Sequence, residues 1–165
     1  MENKFVIAVD PGNIESAICV YNGEKIVYCE KVNNKEFFSH LEHNIAQSLV
    51  SGLYARPSIY IEDIQAMGMA VGSEVFDTAK MIGKIQYHLE LKKDPYKMVK
   101  RTEIKLHHCG TVRAKDTNIR QSLIDRFGDK GTKKEPGFFY GISGNDEWSS
   151  CAIAIYGHDK LNERK

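Results

Sequence analysis

No two cysteines in this sequence are spaced to act as a local pair. Cys19, Cys29, Cys109 and Cys151 are far apart, and no CxxC occurs. That argues against a disulfide framework and a zinc ribbon; three of the four lie in apolar runs, as buried thiols do. No apolar run approaches the roughly 18 residues of a membrane helix, and the opening Met-Glu-Asn-Lys leads into too short an apolar stretch for a secretory leader. A cytoplasmic location and no membrane partner are the expectation. Internal repeats and low-complexity segments are also missing. With 165 residues and 42% apolar content, one domain spanning 1–165 with a full hydrophobic core is expected.

Net charge is nearly absent too, at +1, and names no partner by itself. Its distribution says more. Between Lys92 and Lys134 there are thirteen basic and five acidic residues, a local excess of eight, so the remainder carries a net −7. This predicts one basic face and one acidic site.

The chain opens on Phe5-Val-Ile-Ala-Val-Asp10, an apolar run that predicts a strand covered on both faces over about 4–10. Pro11-Gly12-Asn13 forces a reversal into a second strand over 16–21. Asn22-Gly23 predicts a two-residue hairpin turn into a third strand over 24–32, whose alternation suits a sheet edge. Asn33-Asn34 supplies a helix cap, followed by Phe38, Leu41, Ile45 and Leu49 at helical spacing, with Gly52 as the stop. Residues 58–61 form a short strand ending in Glu62-Asp63. Reached through a helical crossover, it is expected parallel to the first, which brings Glu62 to the same sheet end as Asp10.

A flexible linker is expected over 66–72. Ser73 then caps a long helix to about residue 92. Val75, Ala79, Ile82 and Leu89, with Gln86 between, follow a four-three rhythm, which a helix facing only its own sheet also shows; small Ala79 and Gly83 permit close approach of another helix, so Val75, Ala79, Ile82, Gly83 and Gln86 are the expected dimer seam. A short strand (96–99), a brief helix (102–108) ended by Gly110, and a helix capped by Asp116-Thr117 and stopped by Gly128 come next. Asp146 begins the last helix, with Trp148, Cys151, Ala152 and Ile155 on its buried face.

Acidic residues thus stand at three element ends: Asp10, Glu62-Asp63 and Asp146-Glu147. Carboxylates gathered at one sheet end repel unless a divalent cation lies between them, and oxygen donors of this kind suit Mg²⁺ or Mn²⁺. Two such ions about 4 Å apart can hydrolyse a phosphodiester, and a basic surface would hold the polyanion. Taken singly, Asp10 could merely start a turn, Asp146 cap a helix and Asp63 sit in a surface turn.

The element order, together with Ala8-Val-Asp10-Pro-Gly12, Ile59-Tyr-Ile-Glu62, Arg101-Thr-Glu-Ile-Lys105 and Asp146 followed by Cys151-Ala-Ile-Ala154, resembles the RuvC family of Holliday-junction resolvases, and most of all its bacteriophage branch. The likeness covers nearly the whole chain. It implies an α/β, ribonuclease H-like fold with a mixed five-stranded sheet, three antiparallel strands and then two parallel, flanked by helices. It also implies a homodimer that binds four-way DNA junctions and cuts two opposed strands with two Mg²⁺ per site. By the resemblance, Asp10 is the central metal ligand, Glu62 the second and Asp146 a third. The family's Asp-x-x-Asp becomes Asp146-Glu-Trp-Ser149 here, leaving Glu147, Ser149 or Asp63 as the fourth. Lys105 matches a lysine near the scissile phosphate, and Arg113, Lys115 and Arg120 are candidate DNA contacts. Gln65 stands where bacterial members carry an aromatic wedge, and Met67 or Met69 is expected in its stead.

Other functions compete. An actin-like or sugar-kinase-like ATPase also begins with Asp-x-Gly and a hairpin, but needs a second lobe for which this chain is too short. A non-catalytic branched-DNA-binding module, or a ribonuclease H or exonuclease on the same fold, remains open.

Overall fold

The computed structural model describes residues 5–52, 55–65, 68 and 70–163. In order the elements are β1 (Val6–Asp10), β2 (Glu15–Tyr21), β3 (Ile26–Asn33), α1 (Phe37–Ser51), β4 (Ser58–Asp63), α2 (Ser73–Lys92), β5 (Tyr96–Lys100), α3 (Arg101–Cys109), α4 (Asp116–Phe127) and α5 (Asn145–Asn162). The five strands form one sheet in the order β3-β2-β1-β4-β5. β2 runs antiparallel to both β1 and β3, while β4 is parallel to β1 and β5 to β4. Tight reversals give the antiparallel pairs, and helical crossovers give the parallel ones, as the sequence predicts.

The pleat divides the core in two. Val6 and Ala8 of β1 pack with Tyr60 of β4, Cys19 of β2 and the helices α3, α4 and α5. Ile7 and Val9 face the other way, with Ile59, Ile61, Phe37, Leu41, Ile45, Met81, Ile85 and Leu89, onto α1 and α2. Side chains alternate faces along a strand, so Asp10 and Glu62 point with Ala8 and Tyr60 toward the α5 layer.

Local details differ from expectation where a side chain found a better partner. The β2–β3 connection is a four-residue loop: Asn22 Oδ1 accepts from the backbone of Glu24 and Lys25, at 2.9 and 2.8 Å, and Tyr21 pairs with Ile26. Helix N-caps fall at Glu36, Gly72 and Lys115, so Ser73 and Asp116 are first helical residues. Asn34 is drawn away to brace the β1–β2 turn. Lys4, expected in the first strand, and Ala66, Met67 and Met69, expected in the linker and as wedge residues, lie outside the described residues.

α5 is buried along residues 148–157, not on one face only. A helix covered all round is apolar or small on every side, and here Trp148, Cys151, Ala152, Ile153, Ala154 and Ile155 are apolar while Ser149, Ser150 and Gly157 are small. One side meets the sheet; Ile104, Ile119, Leu123, Phe139 and Ile142 cover the rest.

The five residues of the expected dimer seam differ in exposure. Ile82 is 6% exposed and belongs to the face of α2, with Met81, Ile85 and Leu89, that packs inward. Within the single chain Ile82 is covered and lines a cleft with Thr78 and Asp63. Ala79 and Gly83 are exposed and Val75 and Gln86 half-buried; the outward apolar side chains are Phe76, Tyr87 and Leu91.

Two glycine substitutions separate packing from propensity. A Cβ at Gly157 would stand 2.6–3.1 Å from Tyr60 ring atoms, whereas one at Gly83 meets nothing within 4 Å. Gly157→Ala should cost about 1–3 kcal/mol by overpacking, and Gly83→Ala should gain up to about 1 kcal/mol of helix stability. Chemical denaturation of each variant measures both.

Candidate active site

Parallel pairing of β1 and β4 puts Val9 opposite Ile61, so Asp10 and Glu62 leave the sheet side by side. The turn after Asp10 is held from several directions. Gly12 N–H donates to Ser16 Oγ at 3.1 Å, Ser16 Oγ–H donates to Asn34 Oδ1 at 2.7 Å, and Asn34 Nδ2–H donates to the Gly12 carbonyl at 2.9 Å. A Cβ on Gly12 would fall 2.2 Å from the Glu15 carbonyl, so glycine is required by close approach. Asp-Pro-Gly is thus a braced platform for Asp10.

Arg101 and Ser149 complete the centre. Arg101, first residue of α3, follows β5 and reaches back over the sheet end. Its Nη1 donates to Ser149 Oγ at 2.6 Å and lies 3.5 Å from Glu62 Oε2; its Nη2 donates to Asp116 Oδ1 at 2.6 Å. Ser149 Oγ–H donates to Glu62 Oε2 at 3.2 Å. Neither Arg101 nor Asp116 was singled out from sequence as a site residue. The adjacency of Arg101 to the β5 end was the available signal, but the ion pairs are between elements and left no local pattern.

The two carboxylates are held in a cramped, low-dielectric place. Burial first, then the Glu62 charge, pushes the Asp10 carboxyl up to about 7; Asp146 adds to this, while Ser149 and Arg101 oppose it. Glu62 is also raised, chiefly by burial, with Arg101 and Ser149 as the main opposition. Two neighbouring acids that resist ionising together are poised to take a cation or to share a proton.

Asp146, in the first turn of α5, stands to one side. Its carboxylate meets Lys31 Nζ at 2.9 Å, and the same ammonium meets Glu15 at 3.1 Å. Among the described residues, the oxygens of Asp10, Glu62 and Asp146 do not all come within 4.8 Å of one another. The three acids nevertheless border one continuous region. A cleft of about 300 Å³ is lined by Asp10, Glu62, Asp63, Gln65, Arg101 and Lys105 among others, and a neighbouring one of about 300 Å³ by Asp10, Gly12, Glu15, Lys31 and Asp146. Asp10 belongs to both.

Glu147 and Asp63, the other acids expected as ligands, have neighbours of their own. Glu147 Oε2 accepts hydrogen bonds from the backbone and hydroxyl of Ser143, at 3.1 and 3.2 Å, and from Gly144 N–H; it caps α5. Asp63 follows Glu62 on β4, so the pleat turns it toward the α2 layer, where it lines the cleft with Thr78 and Ile82.

Of the expected DNA contacts, Lys105 lines the cleft. Arg113 and Lys115 are exposed between α3 and α4. Arg120 lies over the Trp148 ring at 4.7 Å and borders a 140 Å³ cavity with Arg101, Asp116 and Ser149. Gln65 accepts from Thr102 N–H and Oγ–H at 3.2 and 3.1 Å, bracing the start of α3. His107 and His108, turned to Asp159 and the Ala152 carbonyl, serve packing between helices.

Strand order, layering and this sheet-end cluster define a ribonuclease H-like fold of RuvC type. Among solved structures the chain is similar to Thermus thermophilus RuvC, at a TM-score of 0.65 and 13% identity over 96% of each chain. It is likewise similar to T. thermophilus RuvC in complex with a Holliday junction substrate, at a TM-score of 0.66 and 12% identity over 97% of this chain and 95% of that one. No protein-family model and no curated protein matches the sequence.

Asp10 gives the metal-free protein a pH signature. Between about pH 4, where Asp titrates in an unfolded chain, and about 7, the folded protein holds a proton that the unfolded chain has released. Stability contributed by this group is therefore lost as pH rises through that window. His108, held down to about 4 chiefly by burial, slopes the other way, so the comparison with Asp10→Asn isolates the effect. In chelator, wild type should lose roughly 1–2 kcal/mol more than Asp10→Asn between pH 5 and 7.5, read from urea denaturation at each pH.

Proposed function

We propose that this chain is one nuclease domain that cuts branched DNA, chiefly four-way junctions, by Mg²⁺-dependent phosphodiester hydrolysis, and that it works as a homodimer making paired symmetric incisions. The observation that carries the reading is the Asp10–Glu62 pair at the carboxyl ends of parallel strands, in a cleft that the cationic side chains of Arg101 and Lys105 also line. The fold shared with a protein solved on a Holliday junction substrate supports the choice of DNA class.

The donor set fits a hard divalent cation. Asp10, Glu62 and Asp146 offer carboxylate oxygens; burial already disfavours the charged forms of the first two, and the Glu62 charge adds to this at Asp10, a penalty that a cation cancels. Asp10 and Glu62 would hold one ion and Asp10 with Asp146 a second; Mn²⁺ would substitute. Bound there, the ions supply the Lewis-acid charge for hydrolysis. Ser149 takes no carboxylate's place as a charge, but its hydroxyl orients Glu62. Arg101 offsets the crowding of negative charge and meets the polyanion at the cleft floor. Lys105 stands on the cleft wall, where it would neutralise a phosphate as charge develops. Arg113, Lys115 and Arg120 extend the basic surface outward for strand arms.

Two sites in one particle suit paired incision. The outward face of α2, with Phe76, Tyr87 and Leu91 around Ala79 and Gly83, offers the apolar contact, Val75 and Gln86 flanking it. A ribonuclease H or exonuclease would use the same carboxylates, and the substrate decides between them.

With Mg²⁺, the purified protein should convert a synthetic four-way junction to nicked duplexes and leave linear duplex and RNA–DNA hybrid largely intact. Asp10→Asn should bind the junction and lose more than about 10²-fold in cleavage rate; equal cutting of linear duplex, or full activity in Asp10→Asn, overturns the reading. Tyr87→Glu should shift sedimentation from dimer to monomer without loss of helix content, because Tyr87 is exposed in the single chain. An unchanged sedimentation coefficient rejects this seam.

A further inference from the structure

The four cysteines looked unrelated in sequence, yet three of them meet. Cys19 on β2 and Cys29 on β3 are direct cross-strand partners, and Cys151 descends on them from α5. Cys151 Sγ lies 3.6 Å from Cys19 Sγ and 3.7 Å from Cys29 Sγ, and all three sulfurs fall within 4.8 Å of one another. None is in a disulfide, which would need a separation of about 2.05 Å. The spacing suits something else. Sulfurs bound to one tetrahedral zinc at about 2.3 Å stand about 3.8 Å apart.

Oxygen donors stand beside the sulfurs. The Ser150 hydroxyl and the Glu147 carbonyl are each 3.6 Å from Cys29 Sγ. The groups come from two paired strands and a fully packed helix, so little ordering is left for binding to do. Cys19 and Cys151 are sealed in the core, while Cys29 is only partly covered on the edge strand, which gives an ion its way in. Thiols are weak hydrogen-bond partners for each other, so three packed together gain little until something soft binds them.

We propose that Cys19, Cys29 and Cys151 bind one thiophilic metal ion, Zn²⁺ by size, with the Ser150 hydroxyl or the Glu147 carbonyl as the oxygen ligand. Binding displaces the thiol protons and ties the β2–β3 hairpin to α5. The site is independent of the nuclease reading: soft sulfur selects zinc, while the hard carboxylate oxygens of Asp10 and Glu62 suit Mg²⁺. The ion is a staple, fixing the helix that carries Asp146 and Ser149 against the strands that carry Lys31.

The test uses full-length protein, reduced, stripped with chelator and passed into chelator-free buffer. Titration with Zn²⁺, and with Cd²⁺ or Co²⁺ as spectroscopic probes, is followed by native mass spectrometry, thiolate-to-metal charge-transfer absorption and Tm. The expected result is a charge-transfer band that saturates at one thiolate-bound ion per chain and a raised Tm, the band unchanged in Cys109→Ser and in Asp10→Asn. Cys29→Ser removes the partly covered ligand and should weaken binding by more than about 100-fold, beyond what loss of an outer-shell partner costs, while keeping a cooperative unfolding transition in the absence of metal. If wild type takes up no ion, or if the ion and its band persist in Cys29→Ser, the proposal is overturned. Zinc binding that Asp10→Asn abolishes also overturns it, since the ion would then belong to the carboxylates. A Cys29–Cys151 disulfide forming on air oxidation, with no metal uptake by the reduced chain, overturns it as well and leaves the nuclease reading untouched.

Discussion

Two carboxylates side by side in a partly dehydrated sheet end are the constraint around which this molecule is arranged. Asp10 and Glu62 are adjacent because β1 and β4 run parallel in register, and nothing in the sheet relieves their repulsion. Relief comes from outside it. Arg101 is delivered by the turn from β5 into α3, and Ser149 by α5, which can press against the sheet because its side chains there are small. Bracing of the Asp-Pro-Gly turn by Ser16 and Asn34 then fixes where Asp10 stands.

The charge of the site is balanced by contacts between elements. Ser149 Oγ lies between Glu62 and Arg101, hydrogen-bonded to both. Arg101 brings one positive charge to 3.5 Å from Glu62. Asp146 stands at the edge, ion-paired to Lys31. Glu147 is held at the helix start, where the exposed amides and the helix dipole favour it.

Much of the fold was legible because it rests on short-range signals. The apolar run before Asp10, the Pro-Gly reversal, the asparagine-glycine connection and the helical periodicities each act over a few residues, and each element formed. Asp10 and Glu62 were readable for the same reason: strand ends and parallel crossovers follow from order alone. Helix caps misled where a polar side chain had a distant competitor, as Asn34 did in Gly12. On α2 a stripe of apolar residues does not say which of two partners it meets: Ile82 is covered within the chain, and Phe76 and Tyr87 are exposed.

The sequence by itself determined the antiparallel opening strands, the parallel pairing of β4 with β1 and the two carboxylates that pairing sets together, because these depend on local patterning and chain connectivity. Only the tertiary structure decided what surrounds them: Arg101 on Ser149, Asp146 on Lys31, Asp63 turned to the opposite face, and three remote thiols in contact. Those contacts join elements tens of residues or more apart. Charge pairing and close packing choose among such partners only after the layers have closed, and no spacing along the chain records the choice.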